Sequence, residues 1–207
     1  MREISVLVAC EYSGTVRDAF EDVGCNAWSC DILPTESEQT KASGKHLQRD
    51  VLSVINDPKW DIMIAHPPCT YLSFAYAGKD RYSVERLQKK VDAYKFFVDL
   101  WSAPIEHICI ENPMGYAHTG LLPYTQIVEP YYFGDPYTKR TCLWLKNLPK
   151  LTYYKPDIFG DEGGGVQWSA RRATFMRTEQ HRAANMAANL FCPLSVAQKN
   201  AANFMRV

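Results

Sequence analysis

The chain has 207 residues, 46% of them hydrophobic and 22% charged, with 23 basic side chains against 23 acidic ones. That is enough for one α/β domain with a real core, and too hydrophobic for a disordered or low-complexity protein. No apolar run approaches the roughly 18 residues that a spanning helix needs, so a single cytoplasmic domain over 1–207 is expected.

The run Ile4–Cys10 is β-branched, lacks helical spacing and reads as a buried strand. It breaks at Glu11-Tyr12-Ser13-Gly14, and Val16, Ala19, Phe20 and Val23 then recur at helical offsets, which predicts a helix over 15–23. Residues 26–31 form a second strand, and the polar stretch Thr35–Lys45 reads as loop. Trp60–Ala65 is a third apolar run, stopped by Pro67-Pro68. Arg81–Ser102 is the clearest helix. Val84, Leu87, Val91, Tyr94, Val98 and Trp101 keep one face apolar, and core packing of that face is expected. His107–Ile110 is a strand halted by Glu111-Asn112-Pro113, Thr141–Leu145 is a late strand, and 178–190 and 195–204 have helical spacing.

Strands alternating with helices imply crossover connections and a mostly parallel sheet. In such sheets ligands sit beyond the carboxyl ends of the strands. Tyr12-Ser13-Gly14, Asp31, Pro67-Pro68-Cys69 and Glu111-Asn112-Pro113 each follow a predicted strand and should converge there.

The turn at 11–14 is not the G-x-G-x-x-G dinucleotide fingerprint. Its small residues would still let a ligand approach backbone N–H groups at a helix N-terminus. Asp31 lies 17 residues past Gly14, and an acid about 20 residues on is where this architecture holds ribose hydroxyls. Asp50 follows at a similar offset. Either aspartate alone reads as a cap; together they point to a nucleoside-bearing cofactor.

Seven cysteines without a CxxC pair give neither a disulfide framework nor a zinc cluster, so reduced core thiols are expected and no metal. Cys69 differs from the rest. Two prolines fix its backbone, which presents the thiol rigidly at a strand end as a nucleophile. His66 beside it reads as a polar packer or a participant. Glu111 closes the strand expected next to that of Cys69, where a carboxyl can protonate a ring nitrogen as a thiolate adds. Lys139 or Arg140, ahead of the last strand, supplies a cation for an anionic intermediate or a carbonyl oxygen; a solvated turn is the alternative.

In order, these pieces resemble the motif series of DNA cytosine C5-methyltransferases, and the chain is closest to the short, phage-type members of that family. VLVACEYSGTVRDAF resembles the first cofactor motif, His66-Pro67-Pro68-Cys69 the Pro-Cys nucleophile motif, Glu111-Asn112-Pro113 the Glu-Asn motif, and FGDPYTKRTCLWL at 133–145 the late Gly-x-Pro and arginine segment. The resemblance implies a Rossmann-like methyltransferase fold that binds S-adenosylmethionine. It implies cofactor contacts from Glu11, Tyr12, Ser13, Gly14 and Pro67, with Asp31 on the ribose and Asp50 at the adenine. It also implies catalysis by Cys69, Glu111 and Lys139 or Arg140 on a cytosine of DNA.

The first motif departs from the family in its glycines, and only 62 residues follow position 145, too few for a large target-recognition domain. From Val166 on, six basic residues face one acid, and Arg171, Arg172, Arg177 and Arg182 lie among Trp168 and Phe175. That basic helical tail at 166–207 suits phosphates and unpaired bases. Low sequence selectivity, or single-stranded or partner-presented DNA, is therefore expected, with strong salt dependence. The rivals are an amino-group methyltransferase of cytosine or adenine and a non-catalytic nucleotide- or DNA-binding protein on the same scaffold.

Overall fold

A computed structural model describes residues 2–73, 83–114, 121–129 and 139–151. The 178–190 and 195–204 helices, the tail arginines and residues 133–138 of the late motif lie outside these.

The chain builds β1 (Ser5–Ala9), α1 (Thr15–Asp22), β2 (Asn26–Asp31), α2 (Glu38–Ser43), β3 (His46–Gln48) and β4 (Ile62–Ala65). α3 (Val84–Trp101), β5 (His107–Pro113), β6 (Gln126–Val128) and β7 (Thr141–Lys146) follow. The seven strands form one sheet in the order β3-β2-β1-β4-β5-β7-β6. β3, β2, β1, β4 and β5 are parallel, while β7 runs antiparallel between β5 and β6.

The central strands are apolar throughout because both sheet faces are covered. Leu7, Ala9, Met63, Ala65, Ile108 and Ile110 join the core under Phe97 and Leu100 of α3. Val6, Val8, Ile62, Ile64 and Cys109 face the other way, with Phe20 of α1. Successive side chains of one strand thus feed two cores, as the period of two requires.

Three expectations are corrected here. The stretch 35–45 is not all loop. Ser37 caps α2, its Oγ accepting from Thr40 N at 3.0 Å, and Gly44 ends the helix in the left-handed conformation. β5 does not halt at Ile110 but runs through Glu111-Asn112-Pro113, because β7 supplies an antiparallel partner as far as Pro113–Thr141. Last, the apolar stripe on α3 is not its core face over Val84–Tyr94; of its residues, Trp101 at the C-terminal end packs against the core. Val84 is 83% exposed, Leu87 62% and Val91 52%. Phe97 and Leu100 are buried, with Ala93 and Phe96 packed beside them. The helix is apolar on two opposite faces, and spacing alone does not say which one meets the sheet.

α1 is locked by a buried arginine that the sequence reading passed over. Arg17 is fully buried; its Nε donates to Ala27 O at 3.2 Å, one terminal nitrogen to Asp18 Oδ1 at 2.6 Å, the other to Ser43 Oγ at 2.9 Å. One guanidinium therefore ties α1 to β2 and α2.

Candidate active site

β1 is the point from which the chain first winds outward through β2 and β3, then crosses back to β4 and β5. The crevice of such a sheet opens beside that reversal, beyond the carboxyl ends of β1 and β4. The turn at 10–14 and the segment His66–Cys69 both leave the sheet there.

In the first turn Cys10 takes φ 59, a left-handed conformation uncommon for a residue with a Cβ. Its N–H reaches Cys30 O at 2.8 Å. The amides at the start of α1, which the sequence offered to a ligand, are taken by the chain itself. Glu11 Oε1 accepts from Val16 N at 2.6 Å and Oε2 from Arg17 N at 3.1 Å. Burial pushes the Glu11 carboxyl above the usual range, while His66 and these N–H donors pull it back. Gly14 is required for a different reason than ligand approach. It sits at φ 77, and a Cβ there would lie 2.4 Å from the Ser37 Cβ, so the glycine lets α2 come close.

Asp31 ends β2 and Asp50 caps the short turn after β3. Each uses one carboxylate oxygen locally, Asp31 on Leu33 N and Asp50 on Leu52 N, both at 2.9 Å. Their charges meet at Cys10, whose thiol is pushed up to about 12 by burial first, then by Asp31, Cys30 and Asp50. Ile32 and Leu33, missed in the sequence, stand 72% and 49% exposed beside Asp31. Two bare aliphatic residues directly after a strand-end acid were the available signal.

β4 pairs with β5, which sets His66–Cys69 against Glu111 and Asn112. His66 N donates to Ala9 O at 3.0 Å, and its ring Nδ1 shares a hydrogen bond of 3.1 Å with Glu111 Oε2. Asn112 is buried and its Nδ2 donates to Pro67 O at 2.9 Å. Two bonds from neighbouring residues of β5 thus hold the segment that carries Cys69. The Cys69 carbonyl accepts from Leu72 N and Ser73 N, both at 3.0 Å, so the chain turns just past a half-buried thiol.

Arg140 pairs instead with Glu129, Nε to Oε1 at 3.5 Å, across the ends of β7 and β6. Glu129 is buried and its other oxygen has no hydrogen-bond partner among the described residues. No sequence pattern announced it. Lys139 is exposed, and its carbonyl accepts from Thr141 Oγ1.

The remaining described thiols are poor nucleophiles. Burial pushes Cys25 up to about 12 and Cys30 up to about 11, and it raises Cys109 and Cys142 as well. Brief iodoacetamide treatment at pH 8 is therefore expected to label Cys69 before the five others, since only thiolate reacts. Peptide mass mapping that found Cys10 or Cys30 labelled first would contradict this ranking.

A cleft of about 310 Å³ lies at the opposite end of the sheet, lined by Arg2, Glu3, Asp61, Glu106 and His107 among others. It is remote from the strand-end residues above.

No protein-family model and no curated protein sequence matches the chain. Among solved structures, a methyltransferase of Entamoeba histolytica is similar with a TM-score of 0.50 and 15% identity, over 76% of this chain and 58% of that one. A candidate DNA modification methyltransferase encoded within an E. coli prophage is similar with a TM-score of 0.44 and 16% identity, over 69% of this chain and 46% of that one. The chain thus spans about half the length of these structures. At such identities the likeness speaks to the fold alone, and the seven-stranded, mostly parallel sheet is a Rossmann-like methyltransferase fold.

Proposed function

We propose that the protein transfers a methyl group from S-adenosylmethionine to C5 of a cytosine in DNA, through a covalent adduct with Cys69. One observation carries the reading. The His66–Cys69 segment is bonded to Glu111 through the His66 ring at 3.1 Å and to Asn112 through Pro67 O at 2.9 Å, at the point where this fold takes ligands.

The residues around the first turn fit the cofactor. The amides of Thr15, Val16 and Arg17 at the start of α1 are taken by Ser13 Oγ and Glu11, not left for a phosphate. Asp31 and Asp50 make this side of the strand ends acidic, which suits a sulfonium with an ammonium group better than a phosphorylated dinucleotide. Asp31 would hold the ribose hydroxyls and Asp50 the adenine amino group, with Ile32 and Leu33 offering apolar surface to the ring. The turn at Glu11-Tyr12-Ser13-Gly14, with Pro67, would border the methionine end. When bound, the cofactor supplies an electrophilic methyl group.

The protein's own task is to make C5 nucleophilic. Cys69 Sγ adds to C6, Glu111 gives a proton to N3, and the ring becomes an enamine. Arg140, held by Glu129, or the neighbouring Lys139 bears on the base's O2. After transfer the C5 proton leaves and the thiolate is expelled. In duplex DNA the base must first leave the stack, at a cost of a few kcal/mol.

Asp31→Ala is expected to weaken S-adenosylmethionine binding by about 1–3 kcal/mol, the usual penalty for unpaired polar groups. Calorimetry that found unchanged affinity would remove Asp31 from the site. The reading as a whole is tested with labelled S-adenosylmethionine and, separately, duplex DNA, single strands and free dCMP, followed by nucleoside mass spectrometry. 5-Methylcytosine in DNA supports it. N4-methylcytosine or N6-methyladenine would favour the amino-group reaction, and methylated dCMP alone a nucleotide substrate.

A further inference from the structure

His66 has no task in the mechanism above, although it opens the segment that carries the nucleophile. Its backbone is pinned to the end of β1 by the 3.0 Å bond to Ala9 O, and its ring crosses to Glu111 at 3.1 Å. Both side chains are about four-fifths buried, so water screens this contact weakly. Among the described residues, the titratable groups brought to the ring are Glu111 from β5 and Glu11 from the β1–α1 turn. Cys69 follows three residues later on the same segment.

The addition step makes a demand that Glu111 cannot meet alone. It must deliver a proton as Cys69 attacks, and the imidazole Nδ1 held 3.1 Å from its carboxyl is placed to supply one. We propose that His66 is the proton reservoir of Glu111, a positioning residue that acts through that carboxyl and never touches the base. The inference rests on the cytosine C5 reading.

The proton count closes. As the bond from Cys69 Sγ to C6 forms, the C5–C6 π pair is drawn into the ring toward N3. The Nδ1 proton of His66 moves onto the Glu111 carboxylate as Glu111 delivers a proton to N3, leaving a neutral imidazole and an ionised Glu111. When the thiolate is expelled, the N3 proton returns through Glu111 to His66. The one proton released overall is that of C5, which goes to solvent.

The test uses the full chain with a cytosine-containing oligonucleotide and S-adenosylmethionine. His66→Gln removes the proton that a ring nitrogen can give up. His66→Asn keeps a donor near the Nδ1 position but carries no proton between pH 5 and 9. Both variants are expected to lose about 10²-fold in kcat, the ordinary range for a proton-transfer partner. KM for the oligonucleotide and calorimetric affinity for S-adenosylmethionine should hold. The alkaline limb of the pH–rate profile, where a required proton is lost, should move, and His66→Gln with Glu111→Gln should be no worse than the more damaging single change.

Wild-type kcat in His66→Asn would reduce the residue to a hydrogen-bonding spacer and overturn the inference, as would multiplicative effects in the double variant. 5-Methylcytosine from the wild type together with an unimpaired His66→Gln overturns this inference alone. A wild type that methylates only amino groups, or nothing, overturns the C5 reading and this inference with it.

Discussion

Cys69→Ser is expected to lower methyl transfer by at least about 10³-fold and to abolish covalent capture of an oligonucleotide carrying 5-fluorocytosine. The nucleophile must be a thiolate, and a serine hydroxyl is not measurably ionised at neutral pH. Fluorine at C5 cannot leave as a proton does, so an adduct formed by Cys69 persists and is read as a shifted band in denaturing electrophoresis. Cys10 is the other partly exposed thiol near these strand ends, but burial and the charges of Asp31 and Asp50 hold it protonated up to about pH 12. It cannot substitute. Full methylation by the serine variant would end the covalent mechanism and move the amino-group reaction to the front.

Arg17→Ala is expected to destabilise the protein by about 3 kcal/mol or more, the range for breaking a buried ion pair from one side. The guanidinium is fully buried, and its loss leaves Ala27 O without its side-chain donor and a cavity between α1, β2 and α2. The carboxylates fare better. Asp18 keeps Thr40 Oγ1 and Ser37 Oγ, and Glu21 keeps Lys45 at 2.7 Å, which is why the lower end of the range is expected. Urea unfolding should show a lower midpoint with an unchanged slope. A loss under about 1 kcal/mol would mean that packing, not this arginine, holds α2 in place.

Cys69 stood out in the sequence because a Pro-Pro pair at a strand end is a local signal. Backbone restriction and the lack of two N–H donors act on the next residue whatever surrounds it. Arg17 gave no such signal. It occupies an ordinary position on an amphipathic helix, and its burial follows from where α2 lands.

The same division runs through the fold. β1, β2, β4 and α1 were legible within a residue or two, since apolar runs and helical offsets are properties of short segments. The three-residue strands β3 and β6 were not, because a strand that short has no period to read and exists only through its neighbours. α2 was missed although Ser37 and Gly44, its cap residues, were visible; its six residues carry too little apolar spacing to mark a helix.

On α3, spacing found the helix, but the stripe it marked meets the core at Trp101 and is exposed over its first turns. Val84, Leu87, Val91 and Tyr94 form as regular a stripe as Ala93, Phe96, Phe97 and Leu100, and only docking on the sheet decided between them. β5 likewise outran its apolar run because β7 came back antiparallel beside it. At the strand ends, sequence determined which residue types could do chemistry: a rigid thiol, strand-end acids and a cation. Tertiary structure decided which of them touch. The bonds from His66 to Glu111 and from Asn112 to Pro67 join residues 45 positions apart, and the pairing of Arg140 with Glu129 depends on adjacent strands. Contacts of that range are set by sheet register, which no local pattern encodes.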